Sequence, residues 1–396
     1  MRRLLISSLL VVSACTGAQE IATTTSQGPL TSSTGPATTS TAPPTTTTTS
    51  LATTTTVSLD QTTLAYAPVA ELAFPVQMTA RPGEALSYVI TKNGLVRAFD
   101  GSAVGETPVL DISDQVVNQG EQGLLSIALH PTDTTRLYLH YSDGNGDTTV
   151  SEFTLTSPTT ADPASERLLL EVDQPAPNHN GGMIQFTPDG TLLLGLGDGG
   201  GADDRFGNGQ NAETLLGGLV EMRVDGDPGP VKYSMGLRNP WRFWIDENLI
   251  YVADVGQDEF EEVNVASLAP GTNYGWPITE GLHCFQAAAG SCDTSGLMIP
   301  VLEVEHSDAG SCSITGGIVY RGPAIPQLDG HYFYSDYCGG YLRSFRFNGA
   351  GESLADQRDW TEQVGIPGQV TGFGVDGQGE MYVTTTGGLL KVVSAG

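Results

Sequence analysis

The chain has 396 residues, 39% of them hydrophobic, which is enough for a sizeable core. Its 50 glycines and only 16% charged residues point away from a helical protein and toward many short strands joined by glycine-rich turns. With 17 Lys and Arg against 45 Asp and Glu, the formal net charge of -28 repels phosphate backbones and anionic headgroups, excludes nucleic acid as a natural partner and favours divalent cations as ligands.

Residues 1–14 read as a signal peptide, because Arg2 and Arg3 precede an apolar stretch that is too short to span a bilayer. That stretch ends in VSAC, which resembles a bacterial lipobox, so Cys15 is expected to be lipidated and to anchor an exported protein to the membrane. The competing reading is an ordinary secretory signal with an incidental cysteine. Residues 15–63 are dominated by Thr, Ser, Pro and Ala and offer almost nothing to bury. They predict a disordered stalk, open to O-glycosylation, that holds a folded domain away from the membrane surface.

From residue 64 to 396 the texture changes to a loose repeat: an apolar strand, a turn rich in Asp and Gly, a second apolar strand and a third led by Gly. Residues 85–99, 125–143, 183–199, 243–256 and 373–393 share that rhythm, and residues 316–345 form a less regular sixth unit. Short strands repeated about six times suit radial blades around an axis, so the expected fold is an all-β, six-bladed β-propeller. Helical periodicity is confined to a short turn near residues 212–216.

Several segments carry candidate chemistry. Residues 143–152 (DGNGDTTVSE) begin like a calcium loop but place Thr148 where the sharp turn needs glycine and lack the closing bidentate acid, leaving at most an irregular ion site. In PNHNGGMIQFTPDG (177–190), His179 sits in a tight polar loop before a strand, where a neutral imidazole can take a proton from a bound hydroxyl. The amides of Asn178 and Asn180 could orient substrate oxygens; a turn histidine that only caps strand ends is the alternative. GLGDGG (195–200) satisfies a dinucleotide pattern but runs into a polar loop instead of a helix, so that reading is rejected. In YSMGLRNPWRFWID (233–246), Arg238 can stack on an aromatic ligand or grip a carboxylate, or simply pair with one of many acids. YVADVGQDEFEEVNV (251–265) gathers Asp254, Asp258, Glu259, Glu261 and Glu262 in one run that suits calcium, or else forms a solvated acidic loop. Setting Cys15 aside leaves Cys284, Cys292, Cys312 and Cys338, and an even count in an exported chain favours two disulfides. Of the three pairings, Cys284 with Cys292 and Cys312 with Cys338 is preferred, because the first closes a short loop and the second flanks one hairpin-like unit. A zinc site is disfavoured, since no Cys-x-x-Cys spacing is present.

Together GEQGLLSIALHP (120–131), NHNGGMIQFTPDG, LGDGG, GLRNPWRF, VADVGQDEFEEVN and NYGWP (273–277) resemble the glucose/sorbosone dehydrogenase family, which includes PQQ-dependent aldose dehydrogenases and the propeller of hedgehog-interacting protein. The resemblance spans roughly residues 65–393 and implies a six-bladed propeller with its site on the axis. It further implies that His179 removes the proton of a sugar's C1 hydroxyl while hydride passes to the quinone. Arg238 and Asn239 would lie over PQQ, and the carbonyls of Gly256 and Gln257 would hold a calcium ion that polarises it. Glu121 and Asn178 fall at substrate-side positions where the enzymes carry a glutamine and an aspartate. A further departure concerns charge. The stretches in which those enzymes supply a lysine and an Arg-x-Arg pair against the PQQ carboxylates read SDYCGGYL (335–342) and PGQVTGFGVDG (367–377), without a cation. Each uncompensated buried charge costs several kcal/mol. Two functions therefore stand side by side: a PQQ-type aldose dehydrogenase with calcium and an electron acceptor the sequence does not name, or a non-catalytic calcium-binding propeller that holds a glycan or protein partner in the same pocket.

Overall fold

The computed structural model describes residues 58–226, 229–349 and 353–396. The segment expected to be a signal peptide, Cys15 and nearly all of the expected stalk lie outside the described residues. The described residues belong to one compact unit, and a single 3-10 turn, Leu59–Gln61, leads into the first strand.

Apart from two 3-10 turns, the described residues hold one short helix, Thr361–Val364; the helical turn expected near residues 212–216 is an irregular turn instead. Strands follow one another as antiparallel quartets in chain order. One runs Leu124–Leu129, Arg136–Ser142, Thr148–Ser157 and Thr160–Val172; the next is Ile184–Phe186, Leu192–Leu196, Gly218–Met222 and Val231–Lys232. Then come Pro240–Asp246, Leu249–Asp254, Phe260–Ser267 and Leu302–Glu305, followed by Ile314–Val319, His331–Asp336, Arg343–Asn348 and Ser353–Asp359. An eight-stranded sheet joins Pro75–Ala80, Ser87–Thr91, Leu95–Phe99 and Leu110–Asp111 to Val370–Val375, Met381–Thr385 and Gly388–Ser394 through one parallel pairing, Met78 with Gly374. Its last member is the first long strand of the chain, Leu64–Glu71, which pairs antiparallel with Gly388–Ser394 and so ties the two ends of the domain together.

Successive quartets touch around a closed circuit, through their leading strands at every junction but one. Pro75–Ala80 meets Leu124–Leu129, which meets Ile184–Phe186; Pro240–Asp246 lies against Leu192–Leu196 and Ile314–Val319; Val370–Val375 meets Ile314–Val319 and returns to Pro75–Ala80. This ring explains the sequence texture. A leading strand is covered by its neighbours on both sides, so LLSIAL at Leu124–Leu129 is buried at every residue, whereas the outermost Thr160–Val172 is mostly exposed. Hydrophobic clusters fill the wedges between neighbouring quartets: Ile90 and Ile112 pack with Ile127 and Phe153, and Tyr251 and Val263 pack with Tyr332 and Phe345. Residues 85–99 are out of phase with the other repeat units, because they supply the second and third strands of their quartet; the leading strand there is Pro75–Ala80. The calcium-like loop at 143–147 is a hairpin connection in which the Asp143 carboxylate accepts from the N–H groups of Asn145 and Asp147.

Candidate functional site

A cavity of about 460 Å³ opens among the loops at one end of the ring. Glu121, Asn178, His179, Arg238, Asn239, Gly256 and Gln257 all line it, although up to 136 residues separate them in sequence. Asn180 does not: it is fully buried behind the loop, away from the cavity lining.

His179 is 3% exposed and holds a left-handed backbone conformation, φ 58°, in the loop ahead of Ile184–Phe186. A non-glycine residue persists in that region only where its surroundings over-determine it. Here the Glu121 carboxylate accepts from the His179 backbone N–H at 2.7 Å. The imidazole Nδ1 meets Asp198 Oδ1 at 2.7 Å. Asp198, 1% exposed, also accepts from Gly200 N–H at 2.9 Å and from the indole Nε1 of Trp276 at 2.9 Å. A carboxylate oxygen only accepts, so in the neutral imidazole Nδ1 carries the proton and Nε2 keeps its lone pair, with no protein partner. Asp198 comes from the LGDGG motif and Trp276 from NYGWP. Sequence reading singled out both motifs without giving either residue a role; a carboxylate flanked by glycines beside a histidine loop was the available signal.

Arg238 and Asn239 are seated by one buried acid. The carboxylate of Asp254 accepts from both their backbone N–H groups, at 2.8 and 2.7 Å. Burial pushes the Asp254 carboxyl well up from its ordinary range. The Arg238 guanidinium lies over the Trp276 ring, 5.6 Å from its centroid, and donates from Nη1 to the Val255 carbonyl at 3.0 Å. Its Nε is buried with no partner. Asn239 bridges the other candidates, donating to Glu121 Oε2 at 3.1 Å and accepting from Gly181 N–H at 3.0 Å. Glu121 is thus partly committed to holding His179 and Asn239. Asn178 accepts from Gly201 N–H at 3.2 Å.

The acidic run does not converge on a cation. Glu261 accepts from His306 Nε2, Ile314 N–H and Gly256 N–H, whereas Glu262 accepts from Asn264 and Gly281 N–H. Both lie on the strand Phe260–Ser267, whose pleat sends successive side chains to opposite faces. Asp258 and Glu259 stay exposed. Among the described residues the one potential metal group is Cys312, Asp336 and Cys338, and its two thiols are joined in a disulfide. Gly256 and Gln257 offer a different kind of ligand. The N–H groups of Gln257, Asp258, Glu259 and Phe260 all turn onto Glu280 Oε1, at 2.6 to 3.4 Å. In a trans peptide the carbonyl opposes the following N–H, so the Gly256 and Gln257 carbonyls point the other way, side by side. Position 256 accepts only glycine, since a Cβ there would collide with the Phe260 carbonyl.

Both expected disulfides are present, Cys284–Cys292 and Cys312–Cys338. The second borders the cavity, where Cys312, Ser313, Tyr337 and Thr371 are neutral lining residues. One cation escaped the sequence reading. Lys92, in the turn after Ser87–Thr91, lines the cavity, donates to Asn118 Oδ1 at 3.1 Å and lies 5.2 Å from the Phe74 ring centroid. Burial pulls its pKa down, partly opposed by the charge of Glu121. The cavity therefore has two cations, Lys92 and Arg238, where the sequence had suggested one. No local pattern marks Lys92; only ring closure brings it in.

The ring of quartets with its loop cavity is the propeller-like fold of the sugar dehydrogenases. The PQQ-bound aldose sugar dehydrogenase of Streptomyces coelicolor superposes with a TM-score of 0.68 at 22% identity, covering 84% of this chain and 98% of that one. The apo aldose sugar dehydrogenase of Escherichia coli gives 0.69 at 22% identity, over 84% and 100% of the two chains. Residues 72–392 match the family described as Glucose / Sorbosone dehydrogenase, and the chain belongs to that family. Among curated relatives, HIPL1 protein of Arabidopsis thaliana is 27% identical over 72% of this chain and 55% of its own length. Hedgehog-interacting protein of Homo sapiens is 25% identical over 76% of this chain and 46% of its own. The chain thus spans about half the length of the curated relatives it matches.

Proposed function

We propose that this chain is a six-bladed propeller that oxidises the C1 hydroxyl of a sugar, using PQQ and calcium in the loop cavity, and that it is exported and anchored through Cys15. The observation that carries the reading is the buried Trp276–Asp198–His179 chain, which leaves the His179 lone pair at Nε2 beside a cavity lined by hydrogen-bonding groups. A pocket that only holds a ligand has no need of a base oriented in this way.

The residues fit the cofactor. Arg238 on its tryptophan offers a flat cationic surface with an unpartnered Nε, Asn239 adds an amide, and Lys92 supplies a second charge. The paired carbonyls of Gly256 and Gln257 suit a hard cation, which would offset the carboxylate charge that two side chains leave over. Bound there, PQQ supplies a two-electron acceptor for the hydride leaving C1. The chain's own work is then to hold and to deprotonate. His179 Nε2 takes the hydroxyl proton, and Asp198 keeps the imidazole in the tautomer that can accept it and stabilises the resulting imidazolium. Glu121 and Asn178 face the sugar side, where the Glu121 Oε1 atom accepts from a hydroxyl and the Asn178 amide NH₂ donates to one. Two disulfides support an oxidising, exported setting.

A second reading is favoured by the charge count. Lys92 and Arg238 face the negative Glu121, so a ligand with several carboxylates is under-compensated unless calcium is present; a neutral glycan, or a protein partner, is not. Calorimetric titration of calcium-loaded protein with PQQ, then dye reduction with a panel of aldoses for wild type and His179→Ala, separates the two. Tight PQQ binding with oxidation that falls about a hundredfold or more in His179→Ala is the expected result. Absence of any heat at high micromolar PQQ with calcium would leave the binding module as the function.

A further inference from the structure

The buried cations among the described residues divide into two kinds. Arg81 is paired with Glu84, whereas Lys92, Arg238 and Arg242 form no ion pair. Lys92 and Arg238 line the loop cavity, and Arg242 serves neither that cavity nor any carboxylate.

Arg242, 2% exposed, projects from the leading strand Pro240–Asp246 into the centre of the ring. Its Nη1 donates to the Trp241 carbonyl at 2.8 Å, and its Nη2 to the carbonyls of Val76 at 2.9 Å and Leu125 at 3.1 Å. All three acceptors are neutral. Nε is buried with no acceptor. Burial lowers the guanidinium pKa to about 9, so the group keeps its charge at neutral pH. Two other quartets leave out side chains to make room for it: a Cβ on Gly182 would lie 2.7 Å from Nη1 and one on Gly316 2.6 Å from Arg242 Cβ.

Against this guanidinium lies a second cavity of about 220 Å³, which shares no lining residue with the first. Arg242 is its only charged lining residue, and the walls are apolar, with Met78, Ile127, Leu129, Phe186, Ile318 and Phe373 prominent. A cavity of roughly 150 Å³ holds benzene, so a body of about six carbons fits here. A bare halide would neutralise the arginine but leave those walls uncovered. We infer that this second cavity binds a small monocarboxylic acid, with its carboxylate on Arg242 and its aliphatic or aromatic body against the apolar walls. The charge supplies the anion requirement, and the lining supplies the preference for an apolar tail.

The probe is hexanoate, with hexanol as its uncharged counterpart, titrated calorimetrically into the intact protein at pH 7 alongside thermal melting. One hexanoate per chain, a raised melting temperature and hexanol at least about tenfold weaker are expected, since a charge-assisted hydrogen bond is lost with the alcohol. Arg242→Gln should weaken hexanoate by a similar factor. Ala80→Trp, at a half-buried position on the cavity lining, should abolish binding without altering any ligand of the loop cavity; it decides the matter if Arg242→Gln fails to fold. No heat and no stabilisation at about 10 mM hexanoate, equal affinity for hexanol, or unchanged binding in Ala80→Trp would each overturn the inference and leave Arg242 as a bracket between strands.

Discussion

Replacing Asp198 by Asn probes the base geometry without changing the size of the side chain. Three donors converge on the wild-type carboxylate: His179 Nδ1 and Gly200 N–H on Oδ1, and Trp276 Nε1 on Oδ2. An amide has one oxygen. If it stays at the Oδ1 position, the NH₂ group faces the indole N–H, donor against donor. If the amide turns over, the NH₂ faces Gly200 N–H and donates to His179 Nδ1, which moves the ring proton to Nε2 and removes the lone pair from the cavity. Either way one buried N–H loses its acceptor, at a cost of about 1–3 kcal/mol. The turned-over state also abolishes the base, so sugar oxidation should fall on the order of a hundredfold or more. Denaturant titration measures the first effect; dye-coupled aldose oxidation with PQQ and calcium measures the second. A variant with wild-type stability and a rate within twofold of wild type would refute the argument that Asp198 orients His179.

Glu262 is buried beside Asp254, and desolvation followed by the Asp254 charge raises its pKa well above the ordinary range. A carboxyl whose folded pKa is raised stabilises least once the pH exceeds that value. Glu262→Gln should therefore match wild type near pH 4 and become progressively more stable than wild type toward pH 8 in chelator-containing buffer, with Asn264 turning its unpartnered oxygen to the new NH₂. Denaturation across that range that shows no pH-dependent gain contradicts it. Removing the Cys312–Cys338 bridge should cost about 2–4 kcal/mol and weaken ligands of the loop cavity, which Cys312 lines; calorimetry of the Cys312→Ser, Cys338→Ser double variant checks both. Cys15→Ser should move the protein from the membrane to the soluble fraction, and retention through a high-salt wash would exclude lipid anchoring.

The features that sequence alone determined are those set over short stretches of chain. Apolar runs broken by Asp-Gly turns encode strand–turn–strand units wherever they occur, because the pleat and the turn depend on neighbouring residues only. The cysteine pairing was legible for the same reason: Cys284 and Cys292 are only 8 residues apart, and Cys312 and Cys338 flank adjacent strands. The resemblance to the family picked out His179, Arg238, Asn239 and the Gly256–Gln257 turn one motif at a time. Tertiary structure alone decided what those residues face. Lys92 carries no local signature and lines the cavity with His179 and Arg238 only because the ring closes between the quartets that bear them, whereas Asp198 reaches His179 through the pairing of Leu192–Leu196 with Ile184–Phe186 inside one quartet. The acidic run from 254 to 262 looked like one ligand set because its members are close in sequence. A strand turns alternate side chains to opposite faces, so Glu261 and Glu262 were separated by the same pleat that made the strand recognisable. Arg242 shows the limit most clearly: its carbonyl acceptors at Val76 and Leu125 belong to two other quartets, and no spacing along the chain could announce them.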